Sequence, residues 1–184
     1  MLSSYLKENT QQQHDLLEQK FNSDKIFGQS YSVEDYRRLI GLNYQFLQRY
    51  ESKIRAGLSE EFKTLVNMDS RTKLPIIEQD ATALNIHYSG DSETPEIASE
   101  AEAAGMLYVI EGASLGGNVI KKQLQKNPAF ADTTFHYFGM YNENISAFWK
   151  SFMAGLNTYF TPEHYPEVLK GAERAYAELL QYNG

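Results

Sequence analysis

The feature that most constrains the fold is an apolar stripe that repeats every three or four residues between residues 33 and 57. Its members are Val33, Tyr36, Ile40, Tyr44, Leu47, Tyr50 and Ile54. This spacing is typical of an amphipathic helix that buries one face against a core. Ser32 and Asp35 resemble a capping box at the start of this helix, and Gly57 marks its end.

Helical signals continue along the chain, whereas strand signals are scarce. Further helices are predicted over residues 2–21, from Ser59, over 74–84, over 97–126, over 143–158 and from Thr161-Pro162 to about Tyr182. Thr94-Pro95 resembles a cap with proline at the first helical position. No Asn-Gly or Asp-Gly turn joins two alternating runs. We therefore expect an all-α bundle of about seven to eight helices, in a single domain spanning residues 1–184.

The charge and composition of the chain argue against several classes of binding partner and of chemistry. The chain has 17 Lys and Arg against 24 Asp and Glu, a formal net charge of −7. This acidic balance argues against a general binder of nucleic acid or anionic membranes. No apolar run approaches the ~18 residues of a membrane span, and the N-terminus lacks the pattern of a signal peptide. The absence of cysteine excludes a thiol nucleophile and permits a reducing compartment. We expect a cytoplasmic protein.

The first predicted helix carries an unusually polar segment from Lys7 to Asp15. Lys7, Thr10 and His14 share one helical face, and Glu18 lies one turn beyond His14. A carboxylate in that position holds one imidazole nitrogen and leaves the other free as a ligand. The alternative interpretation is a solvated surface helix without a bound group.

The long helix predicted over residues 97–126 contains Gly112, Gly116 and Gly117. Three interior glycines cost roughly 3 kcal/mol relative to alanine, so some compensating role is expected. One interpretation is close packing against another helix, or a break in the helix. The other is a kinked helix whose bare backbone lies against a flat ligand.

Together, these two segments resemble the heme oxygenase family, across about residues 5–180. The proximal pattern is Leu6-Lys7-Glu8-x-Thr10-x-x-x-His14-x-x-x-Glu18. The distal pattern is Gly112-Ala113-Ser114-Leu115-Gly116-Gly117-Asn118-Val119-Ile120-Lys121-Lys122. The wording of Leu107-Tyr108-Val109-Ile110-Glu111-Gly112 is closer to bacterial, biliverdin-forming members. The segment Phe148-Trp149-Lys150-Ser151-Phe152-Met153 resembles a later helix of the family.

The resemblance implies a heme-oxygenase-like fold and a set of site residues. His14 would be the axial ligand of the heme iron, and Lys7 and Lys150 would reach the heme propionates. Tyr176 would lie in the wall of the heme pocket. The remaining implied site residues are Thr10, Glu18, Gly112, Ser114, Gly116, Gly117 and Asn118. The distal glycines would let the backbone approach the porphyrin.

The implied reaction is the oxidative opening of heme to biliverdin, carbon monoxide and ferrous iron. It would use O2 and electrons from a ferredoxin or an NADPH-dependent reductase. Heme is then both substrate and cofactor, and it supplies the difficult chemistry. The cleaved meso carbon, the electron donor, the oligomeric state and the biological purpose, iron acquisition or bilin supply, stay open.

One position departs from the family pattern. Many members carry an aspartate directly after the first distal glycine, whereas this chain has Ala113. Ser114, Asn118 or ordered water would then have to support proton delivery. The departure leaves open a second interpretation, a heme-binding or heme-sensing protein of the same fold without turnover. A third is a helical interaction protein without a cofactor.

Overall fold

The computed structural model describes residues 1–88 and 95–182, and this part of the chain contains eight α-helices. They are α1 (Leu2–Lys20), α2 (Ser23–Phe27), α3 (Val33–Gly57), α4 (Glu60–Leu65), α5 (Leu74–Ala83), α6 (Glu100–Leu124), α7 (Ile145–Tyr159) and α8 (Tyr165–Leu180). Short 3-10 turns connect several of them, and no strand occurs among the described residues. The predicted all-α class and the predicted number of helices are therefore confirmed.

Two helix starts follow directly from local side-chain chemistry. The Ser32 hydroxyl accepts a hydrogen bond from the backbone N–H of Asp35 at 3.0 Å, and the Asp35 carboxylate accepts one from the Ser32 N–H at 3.0 Å. This reciprocal pair satisfies two amides that the first helical turn leaves without partners. The Ser59 hydroxyl caps α4 by accepting one hydrogen bond, from the backbone N–H of Phe62 at 3.1 Å. Both sequence predictions are confirmed.

Two other predicted starts are wrong. Pro95 precedes α6 instead of opening it, because the Ser99 hydroxyl accepts a hydrogen bond from the Glu102 N–H at 3.2 Å and so supplies the cap. Thr94 lies outside the described residues. The Thr161-Pro162 pair opens a 3-10 turn over Pro162–His164, and α8 begins only at Tyr165.

Helix α8 has a central position in the bundle, because both α1 and α6 pack on it. Its backbone contacts that of α6 through two glycines. A Cβ added at Gly105 of α6 would lie 1.9 Å from the carbonyl oxygen of Val168, and one added at Gly171 of α8 would lie 2.0 Å from that of Glu102. Only glycine permits this approach of the two backbones.

The substitution Gly171→Ala should therefore destabilise the protein. Its methyl group meets a carbonyl oxygen that cannot move without shifting α6, so we expect a loss of about 1–3 kcal/mol of unfolding free energy. Urea denaturation followed by circular dichroism measures it. Gly116→Ala is the matched control, because nothing lies within 4 Å of the Cβ it adds. An unchanged unfolding free energy for Gly171→Ala would contradict the close crossing.

Helix α6 is long and apolar enough to cross a membrane by length and composition alone. However, 56% of its most apolar window is buried inside the protein, as in the core helix of a soluble protein. Its apolarity is thus accounted for by core packing, and this single helix is weak evidence for a membrane span.

Candidate heme-binding site

The exposed part of α1 presents the predicted histidine. The His14 side chain is 51% exposed, and its Nδ1 lies 3.8 Å from a carboxylate oxygen of Glu18 and 3.8 Å from one of Asp15. These distances are too long for direct hydrogen bonds, but they place negative charge beside Nδ1. The two carboxylates lie on the Nδ1 side of the ring, and Nε2 has no hydrogen-bond or ion-pair partner among the described residues, so Nε2 is the candidate nitrogen for a metal.

The three glycines of α6 have different surroundings. The helix is continuous through them, which rules out the predicted break. A Cβ at Gly117 would lie 2.1 Å from the ring of Phe138, so this glycine serves close packing. A Cβ at Gly116 would meet nothing within 4 Å, and one at Gly112 would meet only Trp149, at 4.0 Å. Close packing therefore does not explain these two glycines, since an added Cβ would meet open space at Gly116 and only an ordinary contact at Gly112.

Helical geometry defines the glycine face of α6. At about 100° per residue, Tyr108, Gly112, Gly116 and Val119 point in similar directions. Val119 is apolar, yet 48% of it is exposed to solvent. The glycine face, defined by these four residues, thus combines bare backbone with an exposed apolar side chain. Such a surface suits a flat apolar ligand.

Ser114 and Asn118 do not share the glycine face. Ser114 lies two residues from both Gly112 and Gly116, which turns its side chain about 200° away. Its buried hydroxyl donates to the carbonyl oxygen of Ile110 at 3.3 Å. Asn118, also two residues beyond Gly116, is turned away by the same geometry. Ser114 thus points away from the glycine face, and its contact with heme stays a prediction.

A cluster of hydroxyl groups joins the histidine helix to the glycine face. Thr10 of α1 is buried, and its hydroxyl donates to the carbonyl oxygen of Leu6 at 2.9 Å. Burial raises the pKa of both Tyr108 and Tyr176, and hydrogen bonding to Thr10 partly offsets this effect. Thr10 therefore lies close to both phenol groups. Thr10, on the face of α1 that bears His14, thus lies near Tyr108 of the glycine face and near Tyr176 of α8.

Helix α7 flanks the same region. The Trp149 ring lies 5.8 Å from the Tyr108 ring, measured between centroids, and is the nearest neighbour of the Gly112 Cβ position. The adjacent Lys150 is exposed, as is Lys7 on α1. Neither ammonium group forms an ion pair within the described ranges. Both lysines are therefore available to an anionic ligand.

Sequence reasoning missed a buried ionic cluster next to Gly112. Glu111 accepts hydrogen bonds from Arg71 at 2.5 Å and from Lys73 at 2.6 Å, with all three side chains at most 1% exposed. Burial lowers the pKa of Lys73, while Glu111 acts in the opposite direction. The available signal was Glu111 itself, an acidic residue within the apolar run from Met106 to Leu115.

Comparisons with known proteins agree with this geometry. The heme oxygenase family profile matches residues 1–181. The chain is 32% identical over 126 residues to a heme oxygenase of Xanthomonas campestris pv. campestris (strain 8004), which covers 67% of this chain and 73% of that protein. The NO- and CO-bound heme oxygenase from Neisseria meningitidis has a similar fold, with a TM-score of 0.77 at 24% identity, covering 97% of this chain and 88% of that one. This chain therefore belongs to the heme oxygenase family of enzymes.

Proposed function

We propose that this protein opens heme oxidatively to biliverdin, carbon monoxide and ferrous iron, using O2 and electrons from a ferredoxin or an NADPH-dependent reductase. The observation that carries this proposal is the open glycine face of α6, where a Cβ added at Gly116 would meet nothing within 4 Å. A metal ligand and an open backbone surface on adjacent helices suit a flat metal-containing substrate. Membership of the heme oxygenase family adds independent support.

Each helix has a separate task in this proposal. His14 of α1 binds the iron through Nε2, while Glu18 and Asp15 hold negative charge beside Nδ1. Gly112 and Gly116 of α6 would let a porphyrin lie close to the helix backbone. Tyr176 of α8 forms the wall between the two helices. Heme itself supplies the redox chemistry once it is bound.

Lys7 and Lys150 are proposed to bind the heme propionates and so to fix the rotation of heme in its site. Reversing one of these charges, as in Lys150→Glu, should weaken hemin binding about 3- to 10-fold, the scale of an exposed ion pair that becomes repulsive. It should also change the proportions of the biliverdin isomers, which chromatography measures. Lys170→Glu on α8 is the matched control, since it alters the same net charge at another exposed position. Identical isomer proportions in both variants would refute the propionate role.

Ala113 favours a second candidate function, heme binding or sensing without turnover. One experiment separates the candidates: one equivalent of hemin is added, followed by ascorbate or a ferredoxin system in air with catalase present. The proposed enzyme should show a Soret band that decays into the broad red absorption of biliverdin. A Soret band that persists under both reductants supports the sensor, and no Soret band beyond that of free hemin leaves a cofactor-free interaction protein.

The domain organisation, the location and the partners of the protein are part of the same proposal. We propose that residues 1–184 act as a single catalytic domain in the cytoplasm, with heme and a redox protein as partners and without nucleic acid. The net charge of −7 supports the last part, because an acidic surface repels phosphate backbones.

A further inference from the structure

We propose that the buried Arg71–Glu111–Lys73 cluster is a positioning device that fixes the glycine face of α6, and with it the orientation of bound heme. Only the identity of the ligand in this inference rests on the proposed function. The structural part is that these charges hold residues 112–119 in place. It concerns the protein without ligand, and hydrogen exchange in that state tests it.

The cluster is placed at the start of the glycine face. Glu111 immediately precedes Gly112, and each oxygen of its carboxylate is used by a different cation. Oε2 accepts from Arg71 at 2.5 Å and Oε1 from Lys73 at 2.6 Å. Because all three side chains are at most 1% exposed, water does not compete for these contacts. The direction of the Glu111 side chain is therefore closely fixed.

Arg71 connects Glu111 to α7. Its Nε donates to the carbonyl oxygen of Val66 at 2.6 Å, and a terminal nitrogen donates to the carbonyl oxygen of Phe148 at 3.1 Å and to the hydroxyl of Ser151 at 3.1 Å. Phe148 directly precedes Trp149, the neighbour of the Gly112 Cβ position. One guanidinium group thus sets the position of α7 relative to the glycine face.

Lys73 connects Glu111 to α3 and α5. Its ammonium group donates to the phenol oxygen of Tyr141 at 2.8 Å. Glu51 of α3 accepts from the backbone N–H groups of Lys73 at 2.6 Å and of Leu74 at 3.0 Å, at the start of α5. The two cations are therefore matched by two carboxylates. Through these contacts, one turn of α6 is tied to three other helices.

The backbone of the glycine face depends on contacts made by other residues for a fixed position. Gly112 and Gly116 have no side chains that could pack and hold their own segment, and glycine gives the helix backbone more freedom than any other residue. Buried ionic groups contribute to a unique arrangement more than to net stability, because desolvation offsets their attraction. The cluster, on the buried side of α6, thus fixes the position of a helix segment whose own glycines make few packing contacts.

The substitution Lys73→Met tests the structural part in the protein without heme. It leaves Arg71 paired with Glu111, and Glu51 with its two backbone donors. We expect amide hydrogen exchange in peptides covering residues 112–120 to accelerate about 10-fold beyond any change in the α8 peptides, which report global unfolding. Tyr141→Phe keeps every charge but removes the hydrogen bond from Lys73 and the one that its hydroxyl donates to Glu111 at 3.2 Å. It should accelerate the same peptides by a smaller factor.

Arg174→Met is the matched control. It breaks the partly buried pair that Arg174 of α8 forms with Glu102 at 2.7 Å. Glu102 lies on the same helix, α6, nine residues before Glu111. It should leave exchange over residues 112–120 unchanged relative to the α8 peptides. Equal acceleration over residues 112–120 in Lys73→Met and Arg174→Met would overturn the inference. If Lys73→Met does not fold, Tyr141→Phe decides, and unchanged exchange there overturns the inference as well.

The hemin complexes then test the link to the ligand. We expect Lys73→Met, but not Arg174→Met, to shift the Soret maximum and the proportions of the biliverdin isomers. A wild-type protein that yields no biliverdin would refute the proposed function, while the exchange data and the Soret shift would still decide the positioning role. Altered exchange with an unchanged Soret band and unchanged isomers would limit the cluster to folding and overturn its role toward heme.

Discussion

Replacing His14 by alanine should abolish heme turnover and weaken hemin binding roughly 100-fold, since loss of even an indirect partner of a metal ligand costs 10- to 100-fold in affinity. His14 is 51% exposed on the face of α1 that also carries Thr10, and its Nε2 has no partner among the described residues. Hemin titration followed at the Soret band gives the affinity, and biliverdin formation gives the turnover. Added imidazole should restore part of the Soret spectrum, because it replaces the missing ligand.

His164→Ala is the control for this substitution. His164 is also exposed, but it lies in the turn before α8, where its Nδ1 pairs with the Thr161 hydroxyl at 2.9 Å. Its removal should leave hemin affinity and turnover unchanged. Full turnover in His14→Ala, or equal losses in both variants, would contradict the assignment of the ligand.

The second large effect is expected from Gly116→Leu. Because a Cβ at this position meets nothing within 4 Å, the protein should tolerate the side chain and gain roughly 0.5–1 kcal/mol of unfolding free energy from better helix propensity. The same side chain would occupy the space proposed for the porphyrin. We therefore expect turnover to fall about 100-fold, as when a substrate is displaced by about 1 Å.

Gly117→Ala provides the opposite pattern one residue further along. Its Cβ would lie 2.1 Å from the buried Phe138 ring, so it should cost about 1–3 kcal/mol of unfolding free energy. Folded Gly117→Ala protein should nevertheless keep most of its hemin affinity. Denaturation curves and hemin titrations of both variants measure this contrast. Wild-type hemin binding and turnover in Gly116→Leu would show that the glycine face is not the heme surface.

Local sequence patterns account for most of the fold. The stripe and capping box of α3 involve residues within a few positions of each other, so the sequence alone predicts them. The start of α6 was misplaced because the proline rule and the serine cap compete within a few residues, and Ser99 is the residue that caps the helix. The predicted end of the first helix at residue 21 is confirmed to within one residue. The short helix α2 after Asn22 was not predicted; Asn22 itself has a left-handed backbone, φ 53°.

Features of the candidate site that lie within a single helix could be predicted from the sequence. The common face of Lys7, His14 and Glu18 follows from helical spacing. The different environments of Gly116 and Gly117 do not, because Phe138 comes from a loop about twenty residues later in the chain. The cluster around Glu111 likewise needs cations about forty residues earlier, and only the folded chain brings them together. Helical geometry alone turns Ser114 away from Gly112 and Gly116, and its role toward heme stays a prediction.

The most direct test of the central claim is a crystal structure of the protein with hemin. We predict that the iron is bonded to Nε2 of His14 and that the porphyrin plane lies against the backbone of Gly112 and Gly116, with the propionates toward Lys7 and Lys150. Iron held by another residue, or a porphyrin bound away from the glycine face of α6, would contradict this account.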